Sequence, residues 1–351
     1  MLNKQIHIQN KIIGKGAPCF IAAEIGINHN GDMNLAKKMI LAAKEAGADG
    51  VKFQNYYTED FILDKNLTYE YVSEGKRVVE TQYEMFKRYE LSATQLKELK
   101  NYCDEIGIIF FSTPTSERGI KDLQEIDTPL FKNGSDFLVN LELIEQFAKT
   151  KTPLVISTGM ATLAEIDDAV RAFEKAGGNE LIILHCISSY PAPAEDVNLT
   201  KIPALEAAFN YPIGFSDHTD GIVATLGAVA LGACFIEKHF TTDKNLAGPD
   251  QHFSSDPKEL KELVDAVRIL EKSLGTSKIT PTEKEEYGRE NFRLSCVVKT
   301  DLPKGHILKR EDISFSRPAN GLAPKFIQDL IGKSLNKSLS VSEPILFTHL
   351  A

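Results

Sequence analysis

Between residue 20 and about residue 275 this sequence repeats one pattern, a short apolar run followed by a longer amphipathic stretch. Eight such runs can be marked: Phe20–Ile25, Gly50–Gln54, Ile108–Ser112, Leu130–Lys132, Leu154–Ser157, Leu181–Cys186, Ile213–Phe215 and Cys234–Lys238. Runs this short and this apolar read as strands buried on both faces. The intervening stretches carry helix-period segments at Asn34–Ala46, Ala93–Ile106, Ala164–Ala176 and Pro257–Leu274, with Gly47, Gly107 and Gly177 as stop signals. Alternation of this kind predicts βα units around a parallel sheet, and eight units over roughly 250 residues fit a (β/α)8 TIM barrel. An open doubly wound sheet is the competing arrangement, but no Gly-x-Gly-x-x-Gly follows the first run.

The chain has 351 residues, more than one barrel needs. Polar, turn-rich residues 276–291, with Pro281 and a Glu/Lys cluster, read as a linker. The expected organisation is therefore a catalytic barrel over 1–275, the linker, and a small β-rich domain over 292–351 with short strands at Leu294–Lys299, Ile313–Ser316 and Leu339–Val341. Asn55–Leu91 is too long for a barrel loop and predicts an excursion over one end, as a lid or a dimer contact. Its run Tyr69–Tyr89 reads as a solvated amphipathic segment.

Forty Lys and Arg against 49 Asp and Glu leave a net charge of −9, which argues against a nucleic-acid partner. The first 16 residues lack a basic region followed by an apolar stretch and a cleavage site, and the most apolar stretch, Ile222–Ile236, falls short of the ~20 residues of a membrane span. A cytoplasmic protein without a membrane partner is expected. Five widely spaced cysteines, odd in number, predict reduced core residues.

Functional groups of a barrel collect where strands end and loops begin. Glu24 stands near the end of the first run and His29 after it, Lys52 and Gln54 at the end of the second, and Thr113 just after the third. Lys132 ends the fourth and Ser135 follows it, Ser157 ends the fifth and Gly159 follows it, Ser188 and Tyr190 follow the sixth, Ser216 and His218 the seventh, and Glu237 and Lys238 end the eighth with His239 after them. Glu, Lys, Ser and His repeated at one end of eight strands are costly unless they form a site. His218 and His239 follow neighbouring strands, so their imidazoles would converge on one divalent ion; Glu237 would share the face of His239 and Lys238 would point the other way. Each histidine alone also reads as a satisfied structural residue. Two nitrogens completed by water or substrate oxygen suit Mn²⁺, with Mg²⁺ or Co²⁺ as alternatives. Lys52 and Lys132, with Ser135, Ser157, Ser188 and Ser216 around the same rim, suit a phosphate and a carboxylate, and amides of the Gly134–Ser135 and Gly159 turns would add donors. Any one of these serines reads equally as a turn or cap residue. Gly248-Pro249-Asp250-Gln251-His252 reads as a turn or as a substrate loop.

Together, Ala23-Glu24-Ile25-Gly26-Ile27-Asn28-His29-Asn30-Gly31, Val51-Lys52-Phe53-Gln54, Ser157-Thr158-Gly159-Met160, Leu184-His185-Cys186, Ser216-Asp217-His218-Thr219, Glu237-Lys238-His239-Phe240-Thr241 and Gly248-Pro249-Asp250 closely resemble the sialic acid (N-acetylneuraminate) synthase family. Asp301-Leu302-Pro303-Lys304-Gly305 and Arg317-Pro318-Ala319-Asn320-Gly321-Leu322 resemble that family's C-terminal antifreeze-like (SAF, β-clip) domain. The resemblance implies condensation of phosphoenolpyruvate with an N-acylated mannosamine-type sugar, giving a nine-carbon 2-keto acid and phosphate. It implies that His218 and His239 hold the metal and that Lys52, Thr113, Lys132, Ser135, Ser157, Ser188 and Ser216 surround phosphoenolpyruvate. Glu24, Gln54, Tyr190 and Asp250 would face the sugar, and Glu24 and Glu237 are candidates for stabilising positive charge at C2 and for moving protons. The resemblance further implies a domain-swapped homodimer in which Arg317 reaches the other subunit's sugar.

One departure from the family pattern bears on the acceptor. Where many members have Gly-Ser-Gly-Glu, this chain has Gly134-Ser135-Asp136-Phe137. The resemblance leans to N-acetylmannosamine, hence to an N-acetylneuraminate synthase, with a 2,4-diacetamido-2,4,6-trideoxy sugar leading to legionaminate or pseudaminate as the alternative. More distant readings are a Schiff-base aldolase using Lys52, Lys132 or Lys238, and a non-enzymatic carbohydrate-binding protein.

Overall fold

The eight runs become eight parallel strands that close on themselves in the computed structural model, which describes residues 5–351. In chain order they are Phe20–Gly26, Gly50–Asn55, Ile109–Pro114, Phe131–Asn133, Leu154–Ser157, Leu181–Cys186, Ile213–Asp217 and Phe235–His239. Every strand pairs with its neighbours in sequence, and the eighth pairs with the first through Phe235↔Phe20 to His239↔Glu24. The helices between them begin and end on local chemistry. Asp32 caps Met33–Ala46 by accepting from the Asn34 and Leu35 amides, and Gly47 ends it with φ 94°. Ser92 with Gln95, Thr162 with Glu165 and Asp256 with Glu259 form reciprocal boxes that start Ala93–Ile106, Leu163–Lys175 and Pro257–Leu274.

The strands' inward side chains follow a period of two, and their character changes along each strand. At the N-terminal end they are apolar. Phe20, Ala22, Ile109, Phe111, Leu130, Val155, Ile182, Leu184 and Phe235 form one buried cluster, in which Phe235 stacks on Phe20 at 4.9 Å and meets Phe111 edge-on at 6.2 Å. Ile6, Ile8 and Ile13 join that cluster from an antiparallel hairpin, Ile6–Ile8 with Lys11–Ile13, so the N-terminal end of the barrel is closed by hydrocarbon. Packing of this kind is worth about 1.5–3 kcal/mol for each large side chain fully buried.

Asn55–Leu91 holds a second hairpin, Thr68–Ser73 with Lys76–Thr81, between helices Thr58–Phe61 and Gln82–Tyr89. It packs on itself through Tyr56, Met85, Tyr89, Phe61, Tyr71 and Phe86, joined by Ile27 from the first strand's loop.

The chain divides into two compact units, the first ending at Gly275 and the second being Thr276–Ala351. The second unit opens with a short helix at Glu286–Asn291, inside the stretch that reads as linker. It is built on a two-stranded ladder, Ser295–Val298 with Ile313–Ser316, over an apolar cluster that includes Val298, Leu308, Ile313, Leu335 and Ile345. Leu339–Val341 does not form the expected strand; Leu339 makes a single bridge to Leu302, because this unit is held by isolated bridges between turns. Among the described residues no helix is long and apolar enough to cross a membrane, and all five cysteines are buried free thiols.

Candidate active site

At the C-terminal end of the barrel the same inward positions that carry hydrocarbon below carry charge. One step of two residues beyond Ala22 in the first strand is Glu24; beyond Gly50 is Lys52; beyond Phe111 is Thr113; beyond Leu130 is Lys132; beyond Val155 is Ser157; beyond Leu184 is Cys186; beyond Gly214 is Ser216; beyond Phe235 is Glu237. These residues, with Gln54, Gly134, Ser135, His218, His239 and Asp250, line a cavity of about 350 Å³.

Four ions meet at its floor. Lys52 Nζ lies 2.9 Å from Glu24 Oε1 and 3.8 Å from Glu237 Oε1, and Lys132 Nζ lies 3.8 Å from the same Glu237 oxygen. Thr113 Oγ1 accepts from Lys52 at 3.2 Å, Gln54 Nε2 donates to Glu24 Oε1 at 3.1 Å, and Ser216 Oγ donates to Glu237 Oε1 at 3.0 Å. All four ionic side chains are buried, and their neighbours drive the two acids apart. Burial pushes the Glu24 carboxyl up, with Glu237 adding to it and Lys52 and Gln54 opposing. Burial also disfavours the Glu237 carboxylate, but Lys132, Lys52, His218 and the Ser216 hydroxyl outweigh it and hold its pKa low. Lys52 is held charged against burial by Glu237 and Glu24, whereas burial and the adjacent Lys52 lower Lys132.

Beside this cluster, the rings of His218 and His239 stand 5.3 Å apart. His218 Nδ1 lies 2.7 Å from the Ile187 carbonyl, a contact that places a proton on Nδ1; burial disfavours its charged form, but Cys186, this carbonyl and Glu237 outweigh burial and raise its pKa. His239 Nδ1 is buried without a hydrogen-bond partner, and Asp250 Oδ2 lies 3.8 Å from it. Burial, followed by the charges of His218 and the nearby lysines, pulls the His239 pKa well down and keeps its imidazole neutral. Burial and Glu24 push Asp250 up to about 7. Among the described residues no set of three or more His, Cys, Asp or Glu is arranged to hold a metal. The donor set here is the neutral His239 imidazole and the neighbouring His218 ring in an open cavity beside crowded carboxylates, and a divalent cation, displacing the His218 proton, fits both the orphaned nitrogen and the excess of acid.

The fourth- and fifth-strand loops supply a small cradle. Ser135 Oγ accepts from the Gly159 amide at 3.0 Å, and a Cβ on residue 159 would collide with both Ser135 and Ser188. Ser157 Oγ is buried without a hydrogen-bond partner. Ser188 Oγ borders the same cradle, beside the place where a Cβ on residue 159 would stand. Tyr190 lines the cavity, its ring centre 4.2 Å from that of His218 and tilted 37° to it. Pro249 and Asp250 line it too, so the turn after the eighth strand contributes to the site. Arg317 belongs to the second unit, where its exposed guanidinium lies 5.5 Å from the Phe292 ring centre. Lys238 points outward and pairs with Asp217.

Two groups of cavity residues escape sequence reasoning. Tyr69, Gln82, Met85 and Phe86 belong to the segment that reads as solvated, yet they line the cavity. With Phe61, Tyr56 and Phe137 they form an aromatic wall, in which Phe61 meets Phe86 at 5.2 Å and Phe137 at 6.4 Å. The other is Cys186, which reads as a core thiol but sits 4.0 Å from His218 Nδ1 on the cavity surface. Its signal was its phase, two residues beyond Leu184.

Residues 39–279 match the model of the NeuB family, and residues 295–351 match the SAF domain. The chain is 40% identical to the N,N'-diacetyllegionaminic acid synthase of Legionella pneumophila over 341 residues, 96% of each chain. It is 37% identical to the human N-acetylneuraminate-9-phosphate synthase, over 95% of this chain and 93% of that one. Among solved structures, an N-acetylneuraminic acid (sialic acid) synthetase from Leptospira borgpetersenii, in complex with citrate, superposes with a TM-score of 0.73 at 37% identity, covering 81% of this chain and 95% of that one.

Proposed function

The chain belongs to the NeuB family and is a synthase of the transferase type, and from that premise we propose that it condenses phosphoenolpyruvate with the open-chain aldehyde of an N-acylated mannosamine-type sugar, giving a nonulosonic acid and phosphate. The observation that carries this reading is the ring of Lys52, Lys132, Glu24 and Glu237 set beside the His218–His239 pair at one end of the barrel.

The two buried lysines and the Ser135–Gly159 cradle suit the carboxylate and phosphate of phosphoenolpyruvate. That substrate is held with its C3 toward the sugar aldehyde. His218 and His239 would hold a divalent cation, Mn²⁺ being the ion we expect, which supplies Lewis acidity toward the aldehyde oxygen when bound. As C3 of phosphoenolpyruvate forms its bond to the aldehyde carbon, positive charge develops at C2. Glu237, kept ionised by its lysines, stabilises that charge. Glu24, paired with Lys52 as a carboxylate whose basicity burial raises, takes the proton of the water that adds at C2 and can return it to the new hydroxyl at the former aldehyde carbon. Phosphate then leaves with the original bridging oxygen, and the 2-keto acid remains. Lys238 takes no part, being paired on the outer face.

The acceptor is read from the aromatic wall. Phe61, Met85, Phe86 and Phe137 on the second- and fourth-strand side offer hydrocarbon to the far end of the sugar. This favours a 6-deoxy sugar with two N-acyl groups over N-acetylmannosamine, and it agrees with the Legionella relative. An apolar wall discriminates against one extra hydroxyl by about 10–200-fold. Phosphate release and product mass, measured across N-acetylmannosamine, its 6-phosphate and a 2,4-diacetamido-2,4,6-trideoxy sugar, should show that preference in kcat/KM. A better rate with the 6-phosphate would overturn the acceptor, and no release with any sugar would overturn the reaction.

We also propose the domain-swapped homodimer, in which Arg317 of one subunit completes the other's site; its exposed guanidinium supports this. Mixing inactive Arg317→Ala and His239→Ala chains should then regenerate one intact site per heterodimer, about a quarter of the wild-type rate. No recovery in a mixture shown to exchange subunits would remove the swap.

A further inference from the structure

Behind the rim, on the outward face of the seventh and eighth strands, lies an ion pair that no reacting group touches. Asp217 and Lys238 stand opposite each other in the barrel register, one step from Ser216 and Glu237, whose side chains face the cavity. Lys238 Nζ lies 3.1 Å from Asp217 Oδ2, and both side chains are almost wholly buried. Asp217 also accepts from Thr225 Oγ1 at 2.6 Å, from the Thr219 amide at 2.8 Å and from Thr219 Oγ1 at 2.7 Å, while Lys238 donates to the Thr219 carbonyl. One carboxylate thus ties together the end of the seventh strand, the turn that follows it and the helix Val223–Ala230. The ammonium ties all three to the eighth strand.

A buried ion pair is a weak device for stability, because desolvation offsets most of the attraction. Its geometry here has a more specific consequence. The residues directly after Asp217 and Lys238 are His218 and His239, and those directly before are Ser216 and Glu237. Every functional side chain of these two strands is therefore one bond step from the pair. We infer that Asp217 and Lys238 form a positioning pair that locks the two strand ends and thereby sets the separation and aim of the His218 and His239 rings. The inference rests on the reading of those rings as the metal-holding groups.

The test uses the full chain and a design that separates positioning from stability. Asp217→Asn and Lys238→Met each leave a buried group unpaired and should lower the melting temperature. The double variant Asp217→Asn/Lys238→Met removes both charges, keeps an amide to bond Thr219 and Thr225, and should recover most of it. Positioning predicts that the recovered double variant still binds Mn²⁺ about 10–100-fold more weakly in calorimetry of the metal-free protein, with kcat lowered to a similar degree. KM for phosphoenolpyruvate should stay where it is, since Lys52 and Lys132 are untouched. A folded double variant with wild-type Mn²⁺ affinity and kcat would overturn the inference. If the double variant does not fold, Lys238→Arg, which keeps the charge and changes its reach, decides in the same way: weaker Mn²⁺ binding supports positioning and wild-type values overturn it. Failure of the unaltered protein to bind Mn²⁺ would instead break the metal reading of the histidines, and the kcat of the variants would still decide the role of the pair.

Discussion

The two ends of the barrel are built by the same eight strands and the same alternation of side chains, and they differ in what the last inward residue of each strand is. At the N-terminal end, Phe20, Phe111 and Phe235 pack with Ile6, Ile8 and Ile13, and every inward group is hydrocarbon. Two or four residues further along, Glu24, Lys52, Lys132 and Glu237 crowd into a common space with two histidines. Several polar atoms at this end are buried without a hydrogen-bond partner, among them Glu24 Oε2, Ser157 Oγ, Glu237 Oε2 and His239 Nδ1. Unpaired buried groups cost stability, so the open end is strained in electrostatic terms and the closed end holds the fold against that cost. Stability and chemistry are thereby assigned to different layers of one barrel.

That division can be broken by substitutions at either end. Glu237→Gln preserves shape and removes the charge beside C2; kcat should fall by about 10²–10⁴-fold, with no rise in KM for phosphoenolpyruvate, and near-normal turnover would detach Glu237 from the chemistry. At the closed end, Ile8→Ala should lower the unfolding free energy by about 2–5 kcal/mol in denaturant titration while leaving kcat unchanged. A matching loss of turnover in the folded variant would show that the layers are not independent. The smallest effect sharpens the contrast most. Ser157→Ala removes a hydroxyl at the cavity wall, so the unfolding free energy should change by less than about 1 kcal/mol while kcat/KM for phosphoenolpyruvate drops about tenfold. Loss of both stability and activity would mean that the serine is structural.

Much of this was legible in the sequence, and the reasons are local. The apolar runs fall within a residue or two of the strands because each is bounded by turn chemistry, and the helix Pro257–Leu274 is bracketed by an acidic cap and a glycine. Residues with ionic side chains at strand ends announced the site, since nothing else accounts for Lys52, Lys132 or Glu237 there. Illegible features depended on distant partners. Ile6–Ile8 and Lys11–Ile13 are three-residue strands that make sense only against the barrel floor they cover. The segment around Tyr69 and Phe86 carries enough Glu, Lys and Arg to read as solvated, because its charges face water while its rings turn to the cavity. The second unit defeats strand assignment at Leu339, where the backbone makes one bridge rather than a ladder.

The central claim is that the charged end of the barrel condenses phosphoenolpyruvate at C3 and releases phosphate by cleaving its bond to C2. The most direct test labels the bridging oxygen of phosphoenolpyruvate with heavy oxygen and weighs the phosphate released by the full chain with Mn²⁺ and the diacetamido sugar. The account predicts acceptor-dependent release with the label in the phosphate. Label retained in the sugar acid, or release that does not depend on the acceptor, would contradict it.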